Sequence, residues 1–205
     1  DLSSQSRMWI NLKENTLSAM VNFTRQLSLG GFQPEIKAGV YLENKDRTFN
    51  ARNFGYAKGS SVSEFGQTYL PVDQIFTDAN INLNTGIKLT EVTALSDSYN
   101  AGNNQIAAYL SARIPVGEKI NIYAGLRAEK NKQTLASYKQ ASNIRVNVDR
   151  DTINFFPSAN ITYNLSEKSL IRAAYGMTIN RPEFREIAPF YYVDFEQNAG
   201  IYGAP

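Results

Sequence analysis

The sequence predicts an all-β fold, about six long strands in three antiparallel hairpins. Three observations predict it. Apolar and polar residues alternate strictly along several stretches. The stretches come in pairs joined by compact turns. The composition suits a pleated surface, with 12 Tyr and 11 Phe against one Trp in 205 residues.

The first hairpin begins with Leu17, Ala19, Val21 and Phe23 on one face, alternating with Ser18, Met20, Asn22 and Thr24. A turn over 27–34 comes next, where Gly30-Gly31 permits positive φ. Ile36, Ala38, Val40 and Leu42 then alternate with Lys37, Gly39, Tyr41 and Glu43. This strand runs on through Thr48-Phe49-Asn50-Ala51-Arg52 with its apolar parity shifted. Such a shift means a bulge, or departure from the zone where one face must be apolar.

The second hairpin has the cleanest alternation. Ile106, Ala108, Leu110, Ala112 and Ile114 share a face opposite Gln105, Ala107, Tyr109, Ser111 and Arg113. After a turn at 115–119, Ile120, Ile122, Ala124, Leu126 and Ala128 oppose Asn121, Tyr123, Gly125, Arg127 and Glu129. In the third hairpin Ala159, Ile161, Tyr163 and Leu165 precede a turn at 166–168. Ile171, Ala173, Tyr175, Met177 and Ile179 come after it. Between hairpins the expected connections are long and polar: 58–98, with a short helix at Pro71–Phe76; 131–152, with Lys130, Lys132, Lys139, Arg145, Asp149, Arg150 and Asp151 in or beside it; and 181–205, with Pro182, Pro189 and Pro205.

Composition removes whole classes of chemistry. Cysteine and histidine are both absent, so there is no thiol chemistry, and the usual general base and commonest metal ligand are missing. Twenty-one basic and 19 acidic residues give a net charge of +2, too even for a nucleic-acid partner. No nucleophile elbow or phosphate-binding loop occurs. No catalytic residue, metal ligand set or cofactor is expected. No apolar run approaches the ~18 residues of a transmembrane helix, and the mean hydropathy is −0.36. Asp1 to Ser6 hold no basic patch leading into an apolar core, so no signal peptide is visible.

A soluble sandwich and the wall of a membrane barrel both alternate in this way. Two features favour the barrel. The faces at 106–114 and 120–128 carry no charge. Nine such residues, tilted by ~40°, span about 20 Å, near the ~25 Å apolar band of an outer-membrane barrel. Turns are short on one side and loops long on the other, the pattern of periplasmic turns and extracellular loops. Arg113, Arg127, Glu129 and Arg172 on the polar faces suit a wet lumen or a sandwich's solvent face equally.

Several stretches resemble TonB-dependent outer-membrane receptors. Ala124-Gly125-Leu126-Arg127-Ala128-Glu129 is similar to their GLRYE strand, with Ala128 in place of the usual aromatic. Phe155 to Leu165 looks like the next strand of that family. Tyr175-Gly176-Met177-Thr178-Ile179-Asn180-Arg181-Pro182-Glu183-Phe184-Arg185-Glu186-Ile187-Ala188-Pro189 resembles their YG-x-T-x-NRP-x-F-x-E-L-x-P stretch. Ser98-Tyr99-Asn100 with Ala107 to Leu110 fits as well, and Lys45 to Arg52 is similar to the Bacteroidetes branch. The resemblance implies a barrel of about 22 strands with a plugged lumen. It also implies a preceding plug domain, a TonB contact ahead of it, and residence in a Gram-negative outer membrane against its lipid. Six strands make an arc, since the smallest barrels have about 8. The expectation is therefore a single-domain middle portion, 1–205, without the plug, whose ends are not natural termini and which alone neither transports nor folds stably in water. It belongs to a receptor for a scarce extracellular nutrient, such as a siderophore, glycan, peptide or vitamin; a passive porin-like barrel and a soluble binding module are the alternatives.

Each singled-out residue has a bland reading. Gly125, Arg127, Glu129, Tyr175, Gly176, Asn180, Arg181, Pro182, Phe184, Glu186 and Pro189 are taken as structural signature positions. The charges around Arg181 are expected at a strand end, in water or paired with one another. Arg127 and Glu129 are expected as a lumen ion pair. Tyr163 and Tyr175 share the apolar parity, whereas Tyr123 points into the lumen. Asp73, Asp78 and Asp97 lack the spacing of a calcium loop. Ligand contacts are assigned only to the loops 58–98, 131–152 and 181–205.

Overall fold

The computed structural model describes residues 7–61, 69–194, 196–197 and 199–204. Positions 62–68, 195, 198 and 205, which belong to the expected loops, and 1–6 lie outside the described residues. Six long strands form one antiparallel sheet: β1 (Arg7–Gln26), β2 (Glu35–Lys58), β4 (Ser98–Val116), β5 (Ile120–Tyr138), β6 (Arg145–Ser166) and β7 (Ser169–Gly176). They pair in the order β1-β2-β4-β5-β6-β7, and a short β3 (Ile87–Glu91) pairs with β2 beyond the end of β4. The sheet is a half-barrel. The three hairpins are those the alternation predicts.

The turn of the first hairpin stems from Gly30-Gly31. Both glycines have positive φ, 57° and 91°, and Leu29 and Phe32 exchange two backbone hydrogen bonds across them. That is the two-residue turn whose twist matches the flanking strands. The second turn uses Gly117, at φ 61°. A small irregularity between Asn164 and Ser166 closes the third.

Two expectations need correction. Residues 131–152 are not a loop: β5 continues to Tyr138 and β6 starts at Arg145, leaving only 139–144 as connection. The segment is polar because these strands rise beyond the apolar band, where neither face meets lipid. The parity shift in β2 is not a bulge either, since the β1–β2 register is unbroken from Arg7↔Phe54 to Gln26↔Glu35. The strand leaves the apolar zone instead.

Two further differences are smaller. β7 ends at Gly176, short of the alternation that continues to Ile179. The expected loop 181–205 contains a helical turn, α2 (Phe184–Ile187), and a separate hairpin, β8 (Tyr191–Asp194) with β9 (Ala199–Tyr202). The short helix expected near Pro71 is present as α1 (Val72–Ile75). No helix among the described residues is long and apolar enough to cross a membrane.

The buried core lies where two layers meet. Phe49, Ala51, Tyr99, Ala101 and Leu135, on one face of the sheet, pack against Phe184, Ile187, Ala188 and Phe190. Phe49 stacks on its cross-strand neighbour Tyr99 at 5.0 Å and meets Phe190 edge-on at 4.9 Å. Burying a side chain such as Phe184 stabilises the contact by roughly 1.5–3 kcal/mol. The chain after β7 is therefore folded back across the sheet.

Candidate functional site

Register places the side chains on two faces with opposite chemistry. On the outer face, neighbouring strands align Ala19, Leu42 and Ile106; then Val21, Val40, Ala108, Ala128 and Phe155; then Phe23, Ala38, Leu110, Leu126 and Pro157. Further down come Ile114, Ile122 and Ile161. No described residue covers this face: Leu110 is 60% exposed and Leu126 50% exposed. An uncovered apolar band of this breadth belongs against lipid rather than water.

The band ends at a slightly staggered edge: Lys130 on β5 already stands beside Ile106, while Leu17 on β1 continues the band level with Asn44. Above Leu42 and Ile106 come Asn44, Asn104, Lys132 and Asp151 on the same face. Asn44 donates a 2.6 Å hydrogen bond to Asn104, and Lys132 lies 3.2 Å from Asp149. Beyond this row the pattern inverts. Apolar side chains now point inward, as Phe49, Ala51, Tyr99 and Leu135, and are covered by residues 184–190.

The inner face carries the polar groups. Arg127 Nε donates to Glu129 Oε1 at 2.6 Å, the expected lumen pair. Tyr123 also faces inward, 5.8 Å from the Arg113 guanidinium, whereas Tyr163 and Tyr175 are exposed on the outer face. Of the charges after β7, Glu183, Arg185 and Glu186 are exposed as expected, whereas Arg181 turns to the inner wall. Arg181 Nη2 makes an ion contact with Glu129 Oε2 at 2.8 Å, off the hydrogen-bond direction. Gln133 Nε2 donates to the Pro182 carbonyl at 2.9 Å. Arg47 lies over the Phe184 ring at 5.1 Å and pairs with Glu14. These contacts fasten residues 181–184 to the inner wall, and the buried segment 187–190 anchors the β8–β9 hairpin beyond it.

The other signature positions have structural placements. Gly125 faces Ser111 across β4, and a Cβ there would stand 2.9 Å from the serine Cβ. Gly176 ends β7, Asn180 is exposed, and Pro189 is buried with the core segment. Glu186 accepts the Glu183 backbone N–H at 2.9 Å and so caps α2. Asp97 is buried and accepts from Asn53 Nδ2 at 2.9 Å and from the Ala94 backbone N–H at 2.8 Å. It bridges the break between β3 and β4. Among the described residues no group of three acidic side chains is arranged to hold a metal.

Sequence reasoning missed a set of carboxamides. Asn103, Gln105, Asn131 and Gln133 lie together on the inner face of β4 and β5, roofed by Arg181, Pro182, Glu183 and Phe184, around a cavity of about 190 Å³. Their inward parity is readable at every second position, but the roof comes from a segment about 50 residues further along the chain, as the Gln133–Pro182 contact illustrates.

Residues 64–199 match the outer membrane protein beta-barrel family. Two solved structures share the fold. The siderophore receptor PiuA from Acinetobacter baumannii aligns with a TM-score of 0.56 at 16% identity, covering 82% of this chain and 24% of that one. The ferric-catecholate import receptor Fiu from E. coli K12 aligns at 0.52 and 15% identity, covering 80% and 25%. The chain thus spans about a quarter of the length of either receptor. No curated protein matches the sequence.

Proposed function

Since the chain belongs to the outer membrane protein beta-barrel family and resides in the outer membrane of a Gram-negative bacterium, we propose that it forms part of the wall of a TonB-dependent receptor. That receptor takes up a scarce extracellular nutrient, and this chain contributes no chemistry to the task. The observation that carries the reading is the two-faced sheet: an uncovered apolar band outside, and an ion-paired, amide-lined wall inside with a chain segment folded onto it. A lumen lined and narrowed in this way suits a gated receptor better than an open diffusion pore.

The likeness to a siderophore receptor and a ferric-catecholate import receptor supports the same reading at the level of fold. In the complete protein a plug domain would fill the lumen and reach TonB in the periplasm. Within the family-signature stretch, Tyr175 and Gly176 end the wall strand β7, and Arg181 to Pro189 then serve as inner lining.

The test is uptake in cells. A strain lacking the full-length gene is compared with its parent for growth on limiting ferric siderophores, oligosaccharides, oligopeptides or cobalamin. The expected result is loss of growth on one of these, reproduced by deleting TonB or collapsing the proton gradient. Uptake that continues unchanged without TonB would point to a passive porin-like barrel and overturn the proposal.

A further inference from the structure

The carboxamide cavity gives the proposed receptor a ligand class. One inner row runs Lys45, Asn103, Gln133 and Arg150 across β2, β4, β5 and β6, and the next runs Glu43, Gln105, Asn131 and Thr152. Four carboxamides side by side offer both donors and acceptors. Part of that capacity is used, because Asn131 Nδ2 donates to Asn103 at 2.8 Å and Gln133 holds the Pro182 carbonyl. The rest faces the cavity.

Charge around the row is uneven. Glu43 accepts the Tyr41 hydroxyl at 2.6 Å, Glu129 is held by Arg127 and Arg181, and Glu183 at the rim lies 4.0 Å from Arg47. Lys45 and Arg150 have no ion-pair partner among the described residues. Lys45 lines the cavity, whereas Arg150, about 14 Å away across three strand spacings, is exposed outside its lining. Arg181 Nε, in the roof, is buried without an acceptor. The lining is polar, with Phe184 its one aromatic residue, and that ring is covered by Arg47. An aromatic or greasy ligand has nothing to stack on here.

We propose that this cavity is a subsite for a carboxylate-bearing, hydroxyl-rich solute. The amides bind its hydroxyls and carbonyls, while Lys45, which lines the cavity, holds its carboxylate. The proposal rests on the receptor reading and narrows it. At about 190 Å³ the cavity is smaller than a typical ligand pocket of ~300 Å³ or more, so it takes one unit or one end of a ligand. An acidic sugar and a hydroxycarboxylate such as citrate share the required chemistry.

Full-length protein in nanodiscs, titrated calorimetrically with trigalacturonate, with citrate and with neutral maltotriose, tests the assignment. One acid is expected to bind at least about tenfold tighter than maltotriose. Lys45→Gln should weaken it by about tenfold, whereas Arg150→Gln, outside the lining, should leave it nearly unchanged. Gln133→Glu should weaken both acids by placing a negative charge in the row. Unchanged strand circular dichroism shows that the variants fold. The acid that binds identifies the source.

Binding of neither acid, equal binding of maltotriose, or indifference to Lys45→Gln and Gln133→Glu overturns the subsite. Energised uptake is scored separately in cells. If it persists for another nutrient while these titrations fail, the subsite alone falls. If no energised uptake exists, the receptor reading falls first.

Discussion

Replacing Leu126 by arginine separates a lipid-facing wall from a soluble surface. Leu126 is half exposed and sits in the middle of the outer apolar band, with Leu110 and Pro157 as its cross-strand neighbours. On a water-exposed surface such a substitution changes stability by about 0.5 kcal/mol or less. At the midplane of a bilayer an arginine on the lipid face costs about 2–4 kcal/mol. That is a change of roughly 30- to 900-fold in the folding equilibrium. Asn104→Arg is the control: its row is already polar, and near an interface the cost falls to about 0–1 kcal/mol. The assay is reversible denaturant unfolding of the full-length protein in short-chain phosphatidylcholine vesicles, followed by strand circular dichroism. If Leu126→Arg and Asn104→Arg proved equally mild, the outer band would not face lipid, and parity would not report the lipid side of the sheet.

Three further outcomes concern the inner wall and the extracellular edge. Arg181→Ala removes one partner of Glu129, which is nearly buried; because the pair is not wholly dry, the expected cost is about 1–3 kcal/mol. It should show as faster tryptic cleavage after Arg185, read by mass spectrometry; an unchanged rate would mean that the contact does not hold the segment. Phe184→Ala empties a fully covered site and should cost about 3–5 kcal/mol, with the same cleavage rising further. At the outer edge, above the membrane band, Arg52 and then Thr93 hold the Glu91 carboxyl well below its usual 4.5, at about 2. Because this pKa is depressed, the pair's support for β3 is complete above about pH 4.5 and is lost as pH falls through about 2. Amide protection factors over residues 87–91 should therefore hold at pH 5 and drop near pH 2 in wild type. They should be insensitive to that change in Arg52→Gln, and equal behaviour of the two proteins would rule the pair out.

The hairpins were legible in the sequence because lipid forces one rule on every second residue of 106–114, 120–128 and 159–165. Once the strands rise past Ala128 and Phe155, that rule lapses. Residues 131–152 then read as a polar loop, although they form the upper parts of β5 and β6. Their inward positions, Leu135 and Ser137 among them, are buried by residues far along the chain. No local pattern announces such a partner. The Arg127–Glu129 pair was legible because two residues on one strand share a face. Its third member, Arg181, was not, since Arg181 reaches it only after the chain turns back over the sheet. The tyrosines obeyed parity, Tyr123 inward and Tyr163 and Tyr175 outward. The shifted parity of Thr48 to Arg52 left two explanations open, and only the continuous register with β1 chose between them.

A cysteine scan along β5 tests most directly whether the outer face of one sheet passes from lipid-facing at Ala128 to water-facing at Lys132. This stretch contains no native cysteine. Single cysteines from 120 to 138, introduced into the full-length protein in intact cells, are labelled with a membrane-impermeant maleimide. Positions 122, 124, 126 and 128 should resist labelling, positions 132 and 136 should label readily, and the inward positions 129 and 135 should stay protected beneath the folded-back segment. Uniform labelling of the even positions from 122 to 136 would mean that lipid shields no part of this outer face.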